Sequence, residues 1–477
     1  MRIATLQLSP RRGDVEGNIR RANALVDDLD MRLMRLKRGA QPDGGSSMPA
    51  GSGVSAGALA GLLDVLVLPE MAFTGYNFPS LEAIRPYLEP TTSGPTAEWA
   101  RSAARRLGCV VCVGYPELAE AQSTSPATSA LSLPPLRSDI HAAMRNKNSD
   151  EPAKADRHHT SHGDGKENKP IADVQRTNDD GSIKNTTNEE SNKNSNNTTT
   201  APSRFNSALL VSPTGSTLYN YQKRFLYYTD EPWAAEGRNG KGFLHLQLPS
   251  TTTSPDTDAT TTTAIPTAIG ICMDINPYKF LAPWTVYEFA THVLASGARL
   301  VLLPMAWLTL LNPGELGEGE GEGEGEGEGE RGEEEKLALA RRPDMETFRY
   351  WLLRFWPLVR AAGKGEREGE GEGQGEAGMV ILVFANRVGV EEGGFRIGKD
   401  GDGVARYAGS SCIVGIRRGR REDGSESWRA KGESGGEEAE ILVWEMLGRA
   451  EEGVCFVDTE AEPKYVFRMR EPGGDEA

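Results

Sequence analysis

Short continuous apolar runs, each bounded by turn formers, alternate along the chain with stretches in which apolar residues recur every three or four positions. The runs Ile3–Leu8, Val65–Leu68, Val110–Gly114, Asn206–Val211, Ala268–Ile271, Leu300–Leu303, Val380–Phe384 and Ser411–Val414 read as strands buried on both faces. The stretches Gly17–Leu36, Gly94–Leu107, Trp284–Ala295 and Asp344–Arg360 carry helical spacing. Regular exchange between the two kinds of element argues for α/β layering.

The pattern fails in several places. The run from about Ala121 to Ser203 is rich in Asn, Ser and Thr, the segment Ser250–Thr263 is mostly Thr, and Gly and Glu alternate between Gly314 and Glu335. Such segments hold too few large apolar side chains to offset the entropy of ordering, so they read as disordered inserts. With inserts at about 40–57, 121–203, 250–263, 314–336 and 363–378 set aside, the 477 residues fit one large domain rather than the two or three that length alone suggests. The inserts also explain the charge. Of the formal −16, the Gly-Glu tract supplies −10 and Ala361–Gly378 supplies −3, leaving −3 on the rest, which says little about partners. The Gly-Glu tract mimics a glycine-rich phosphate loop only superficially, since dense carboxylates repel phosphate and no strand leads into it.

Five cysteines are spread thinly through the chain, the N-terminus lacks a charged-then-apolar signal pattern, and no apolar run approaches the roughly 20 residues that span a bilayer. A soluble protein of a reducing compartment, cytoplasmic or nuclear, is expected. Cys109 and Cys112 form a CxxC pair, but the valines around them make it a buried strand, and no second pair completes a zinc site. His158, His159 and His162, with His141, lie in the polar insert and read as solvated loop; the sequons at Asn185, Asn196 and Asn197 share that insert and should stay unmodified without a secretory signal. No metal and no cofactor are expected, nor any membrane or nucleic-acid partner.

Chemistry concentrates where strands end, the usual place for it in α/β folds. In LDVLVLPEMAFTGYNF a strand stops at Pro69 and delivers Glu70 into an aromatic-rich turn. In TAIGICMDINPYKF a small, glycine-containing strand runs into Cys272, with a proline-interrupted turn behind it. In YNYQKRFLYYTDEPW, Lys223 follows a strand amid Tyr and Phe residues. A thiol on a tight turn becomes a nucleophile when a base takes its proton, a carboxylate in apolar surroundings serves as that base, and a buried cation stabilises an oxyanion. Taken singly, each residue has an ordinary structural explanation. Their joint appearance carries the argument.

The strings LPEMAFTGYNF, YQKRFLYYTDE and GICMDINPY resemble, in order, the Glu, Lys and Cys signatures of the carbon–nitrogen hydrolase, or nitrilase-like, superfamily. Further likeness runs through IATLQLSPRRGDVEGN, FANRVGVEEG around Asn386 and GSSCIVG around Ser411. The resemblance implies a four-layer αββα sandwich and a thioester mechanism in which Glu70 is the base, Cys272 the nucleophile, and Lys223 with the backbone N–H of Met273 the oxyanion hole. It also implies a second acid that positions the lysine or the substrate, met here by Glu231, with Asp230 as its neighbour and rival.

Within the superfamily, YQKRFLYYTDEPWAAEG and the long string beginning GICMDINPYKF are most similar to fungal members that convert N-terminal Asn or Gln of proteins to Asp or Glu, feeding the N-degron pathway. Such an enzyme takes protein or peptide substrates with a free N-terminal Asn or Gln, uses water as co-substrate, and needs a carboxylate for the α-ammonium group. Asp274 is a candidate, with Asp230 and Glu236 behind it, although Asp274 serves equally as a cap of the turn before Pro277. Tyr76, Trp233 and Trp307 are candidate pocket walls. Two rival functions remain open: a small-molecule ω-amidase or nitrilase with the same chemistry, and a non-catalytic scaffold whose charged segments bind partners.

Overall fold

Side chains of a strand point alternately to opposite faces, so neighbouring residues enter different layers when both faces are covered. Ile3, Val65, Val67, Val110, Cys112, Ala208 and Leu210 join one buried cluster, while their neighbours Ala4, Leu66, Leu68, Val111, Val113, Leu209 and Val211 join another. These residues belong to a sheet with apolar material on both sides, as their unbroken hydrophobic runs predict.

The computed structural model describes residues 1–39, 61–120, 203–249, 262–311, 334, 337–364, 378–396, 403–418 and 438–470. All lie in one compact unit made of Met1–Ala121 and Ala201–Ala477. Its strands are β1 (Arg2–Gln7), β2 (Val65–Val67), β3 (Glu89–Pro90), β4 (Val110–Ala119), β5 (Ser203–Val211), β6 (Thr217–Gln222), β7 (Phe243–Pro249), β8 (Thr262–Ile269), β9 (Leu300–Pro304), β10 (Val380–Ala385), β11 (Val388–Glu391), β12 (Ala405–Ala408), β13 (Cys412–Arg418), β14 (Glu438–Met446), β15 (Gly453–Asp458) and β16 (Tyr465–Arg470).

Two mixed sheets make the middle of the unit. One has the order β15-β1-β2-β4-β5-β6, with β3 paired to β4; the other has the order β16-β14-β13-β10-β9-β8-β7. The helices Val15–Gly39 and Pro95–Leu107 cover the outer face of the first sheet, where Leu29, Leu33, Ala100 and Ala104 pack into its cluster. The inner faces share one core, in which Ile3 and Val65 meet Val301 and Val383. Helices Glu288–Ala295, Met345–Arg354 and Trp356–Lys364 bring Phe289, Trp351, Phe355 and Leu358 to that core from beyond the second sheet. The result is the αββα sandwich that the resemblance implies.

Two helices differ from their predicted spans. The segment expected as Trp284–Ala295 is a 3-10 turn over Trp284–Val286 and a helix that begins at Glu288, because Tyr287 takes a left-handed conformation, φ 47°, that interrupts any helix. The segment expected as Asp344–Arg360 is two helices that break at Phe355; Pro357 has no N–H to donate back to the first of them. The expected inserts fall outside the described residues except near their edges: β5 starts at Ser203, β8 at Thr262, the helix Trp356–Lys364 runs two residues into the insert expected at 363–378, and Glu334 and Gly378 are also described. The histidine tract and the sequons also lie outside them. Among the described residues no helix is long and apolar enough to cross a membrane.

Candidate active site

Glu70 stands just beyond β2, where the chain leaves the sheet through Pro69. The approach is tight. A Cβ on Gly114 would lie 2.6 Å from the Glu70 Cα and 2.7 Å from the Met71 nitrogen, so only glycine lets β4 pass so close. Lys223 follows β6, and its own N–H donates to the Asn206 carbonyl of β5 at 2.8 Å, which fixes the point where its side chain departs. Cys272 opens the 3-10 turn Cys272–Ile275 after β8, in a left-handed conformation at φ 42°. That conformation is costly for a residue with a side chain and is tolerated where surrounding contacts enforce it, often at functional sites.

Glu70 and Lys223 are both fully buried and meet directly. Lys223 Nζ donates to Glu70 Oε1 at 2.6 Å and to Asp230 Oδ2 at 2.6 Å. Asn206 Nδ2 bridges the same two acids, 2.7 Å from Glu70 Oε1 and 2.9 Å from Asp230 Oδ1. Asp230 Oδ2 also accepts from the Tyr76 hydroxyl at 3.2 Å and the Tyr227 N–H at 3.0 Å. The other oxygen of Glu70, Oε2, is buried and accepts no hydrogen bond from any described group. A desolvated carboxylate oxygen with nothing bound to it is ready to take a proton.

The electrostatics agree with that role. Burial raises the Glu70 carboxyl above its ordinary value, and the Lys223 ammonium only partly opposes it. Burial alone would lower Lys223, but the Asp230 and Glu70 carboxylates override it and hold the lysine charged well above its usual range. Cys272 is raised well above a free thiol, by burial first and then by the charge on Glu70. A thiol raised in this way would need a base to act as a nucleophile rather than rely on a standing thiolate.

Two residues expected in the site have other positions. Glu231 is exposed, and the acid that touches Lys223 is Asp230; the second acid is thus corrected to Asp230. The two are adjacent in sequence, and the turn that follows Lys223, with Asp230 N–H donating to the Tyr227 carbonyl, aims Asp230 inward and leaves Glu231 at the surface. Asp274 is buried, yet its oxygens are occupied: they accept from the N–H groups of Ile271, Arg224 and Phe225 and from the Tyr221 hydroxyl. It ties the cysteine turn to the lysine strand and has no capacity left for a substrate ammonium, so its assignment to substrate is corrected to a structural one. Asp230 is likewise committed to Lys223. Glu236 accepts from the Tyr278 hydroxyl at the surface.

Cys272 opens onto a cavity of about 420 Å³ in which Met273, Tyr227 and Trp307 are walls. Tyr76 and Trp233 pack in the hydrophobic cluster beside the site rather than lining the cavity. Trp307 is pinned from behind: its N–H donates to Asn386 Oδ1 at 2.8 Å, the Ser411 hydroxyl accepts from the Asn386 N–H, and the Ser411 N–H donates to Gln7 Oε1. Three strings far apart in the sequence, around Gln7, Asn386 and Ser411, thus converge on one wall. Asn206 is the site residue that sequence reasoning missed. Its only signal was a polar side chain at the start of an otherwise apolar strand.

Comparison with known proteins finds one family match and several related chains. Residues 2–134 match the carbon–nitrogen hydrolase family. The protein N-terminal amidase of Saccharomyces cerevisiae is 23% identical over 401 residues, which cover 75% of this chain and 64% of that protein. The protein N-terminal amidase of Schizosaccharomyces pombe is 23% identical over 433 residues, covering 88% of this chain and 93% of that protein. Crystal structures of an N-terminal amidase with a Gln-Val peptide and with a Gln-Gly peptide each cover 99% of this chain and 99% of their own, with TM-scores of 0.52 and 0.53 at 19% and 18% identity. The fold is therefore that of the nitrilase-like enzymes.

Proposed function

We propose that this chain, which carries a carbon–nitrogen hydrolase domain, is an amidase that converts the N-terminal Asn, and also Gln, of proteins and peptides to Asp or Glu. The observation that carries the reading is the unpartnered Oε2 of Glu70 in a buried group that holds Lys223 and acts on Cys272.

In the proposed reaction Glu70 Oε2 takes the thiol proton as the Cys272 sulfur attacks the side-chain amide carbon. The C–S bond forms and the carbonyl π pair moves to oxygen. Lys223 has three N–H donors, two of them spent on Glu70 and Asp230, so one is left for the oxyanion. The Met273 N–H, in the turn that Cys272 opens, is its partner. Donors fixed where charge develops are often the largest single contribution to catalysis. As the tetrahedral intermediate collapses, Glu70 returns its proton and the C–N bond breaks, releasing ammonia. Glu70 then deprotonates a water molecule that attacks the thioester; the C–S bond breaks, the thiol recovers its proton and the side chain leaves as a carboxylate. Asp230 and Asn206 position Lys223 and Glu70 and do not touch the reacting atoms.

A cavity of about 420 Å³ beside the thiol has room for the first residues of a peptide. The five cysteines are all free, which suits a reducing compartment such as the cytoplasm or nucleus. The test uses purified protein and peptides that begin with Asn or Gln, their N-acetylated forms, free asparagine and a small ω-amide, with ammonia release and the amide-to-acid mass change as readouts. Turnover confined to the free-amine peptides and abolished by Cys272→Ala supports the reading. Equal turnover of acetylated peptides, or activity on the small ω-amide alone, overturns it in favour of a small-molecule amidase.

A further inference from the structure

An enzyme that acts only at a free amino terminus must recognise an ammonium group, and the buried acids Glu70, Asp230 and Asp274 are already engaged. Glu70 is the base, Asp230 holds Lys223, and Asp274 has its oxygens filled by three backbone N–H groups and a tyrosine hydroxyl. The cavity itself contains one carboxylate among its lining residues, Glu346, which comes from the first turn of the helix Met345–Arg354. Among the described residues Glu346 has no ion pair and no side-chain hydrogen bond. The cavity's one guanidinium, Arg349, lies on the same face one turn further on without forming an ion pair with it.

The helix that bears Glu346 is fastened to the nucleophile's own turn. The Tyr350 hydroxyl donates to Asn276 Oδ1 at 2.7 Å, and Arg354 Nε donates to the Ile275 carbonyl at 2.7 Å. Its N-terminus is anchored too: Asp344 accepts from the Thr347 N–H at 3.0 Å and from the Thr309 hydroxyl at 2.7 Å. The Asp344 N–H donates to the Ser410 hydroxyl at 2.7 Å. Two ends held in this way fix the Glu346 backbone relative to the cysteine turn, and its exposed side chain stands at the rim of the cavity that Cys272 lines. The wall between them is aromatic, with Trp307 and Tyr350 in ring contact at 5.2 Å, and such faces also favour a cation.

We propose that Glu346 receives the α-ammonium group of the substrate and so sets the requirement for an unblocked amino terminus. This rests on the reading of the chain as an N-terminal amidase and adds the residue that makes it N-terminal. The amide enters toward Cys272, the ammonium turns to the helix carrying Glu346, and the rest of the peptide leaves past the exposed Leu310.

The experiment compares wild type, Glu346→Gln and Glu346→Asp on a pentapeptide beginning with Asn and on its N-acetylated form, from pH 6 to pH 9, with melting temperature as a check of folding. An α-amino group titrates near pH 7.7–8.0. Wild type should prefer the free amine by about a hundredfold in kcat/KM, the order expected for one charge-assisted contact. In Glu346→Gln that preference should fall to within about threefold, largely through KM, and Glu346→Asp should keep a substantial part of it. The ratio of wild type to Glu346→Gln on the free peptide should be largest below pH 7 and shrink above pH 8, as the ammonium is lost. If wild type discriminates but Glu346→Gln discriminates equally and the ratio is flat with pH, Glu346 does not read the ammonium and the proposal fails while the amidase reading stands. If wild type itself treats both peptides alike, the N-terminal reading fails first.

Discussion

Two buried carboxylates, Glu70 and Glu391, sit on either side of the same loop and do opposite things. Glu391 is saturated: its oxygens accept from the N–H groups of Tyr76 and Asn77, from Arg387 at 2.7 Å and from the Tyr407 hydroxyl at 3.0 Å. What is left over there is on the donor side, since Arg387 Nε and Nη1 have no hydrogen-bond partner among the described residues. At Glu70 the imbalance is reversed. Its cation is shared with Asp230, and one of its own oxygens is bare. Both acids are desolvated and both have a cation within 2.7 Å, so neither burial nor pairing separates the proposed base from the saturated acid. The unused lone pair does.

The contrast gives its largest expected effect at the site itself. Glu70→Gln keeps the shape and the Asn206 contact but has no base, so kcat should fall by about 10²–10⁴, with a smaller loss of stability than at Glu391 because Lys223 keeps Asp230 as its anion. Cys272→Ala should fall further, by about four orders of magnitude or more. Steady-state kinetics beside a denaturant melt reads both. Glu391→Gln should show the reverse emphasis: a loss of about 3–5 kcal/mol in unfolding free energy, because Arg387 is left buried without its anion. A Glu391→Gln enzyme as stable as wild type but as inactive as Glu70→Gln would break the comparison.

Smaller effects sharpen it. The Asp230 charge helps to raise the Glu70 carboxyl, so Asp230→Asn should lower it. Because the base must be ionised to act, the acid limb of the kcat/KM profile should then move to lower pH, while the maximum drops by about ten- to a hundredfold as Lys223 loses an anchor. An acid limb that stays in place would show that Glu70 does not set it.

The smallest effect belongs to a third buried acid, Glu89, which accepts only from the Thr96 N–H and hydroxyl and is pushed up to about 7, chiefly by burial. A carboxyl raised in the folded state contributes most below its unfolded value near 4.5, and that contribution is lost as pH rises toward 7. Glu89→Gln escapes the loss. The stability of wild type relative to this variant should fall by about 1–3 kcal/mol between pH 4.5 and pH 7.5. A pH-independent difference would refute the shift.

How far this was legible in the sequence follows from the range of the interactions. Glu70, Lys223 and Cys272 stand out because each follows a buried strand, and a strand end is a local pattern. The layers were legible for the same reason, since unbroken apolar runs announce coverage on both faces. Asp230 against Glu231 was not legible: adjacent residues on a turn face opposite ways, and the turn is set by bonds to Tyr227. Nor was the saturation of Asp274, whose partners Tyr221, Arg224 and Phe225 lie about fifty residues away. Glu346 looks like any acid in a first helical turn until the Tyr350 and Arg354 contacts bring that helix to the cysteine turn.

The pairing of β1 with β15 bears on how the protein is made. β1 leaves the ribosome long before one of its edges is completed by Gly453–Asp458, and Gln7 waits nearly as long for Ser411. At roughly 5–20 residues per second, that edge stays open for about 20–90 s of synthesis. An apolar strand exposed for so long is a target for chaperones and for misdirected pairing. A nascent chain stalled before β15 should therefore be sticky, even though the brace behind Trp307 is complete once Ser411 has emerged.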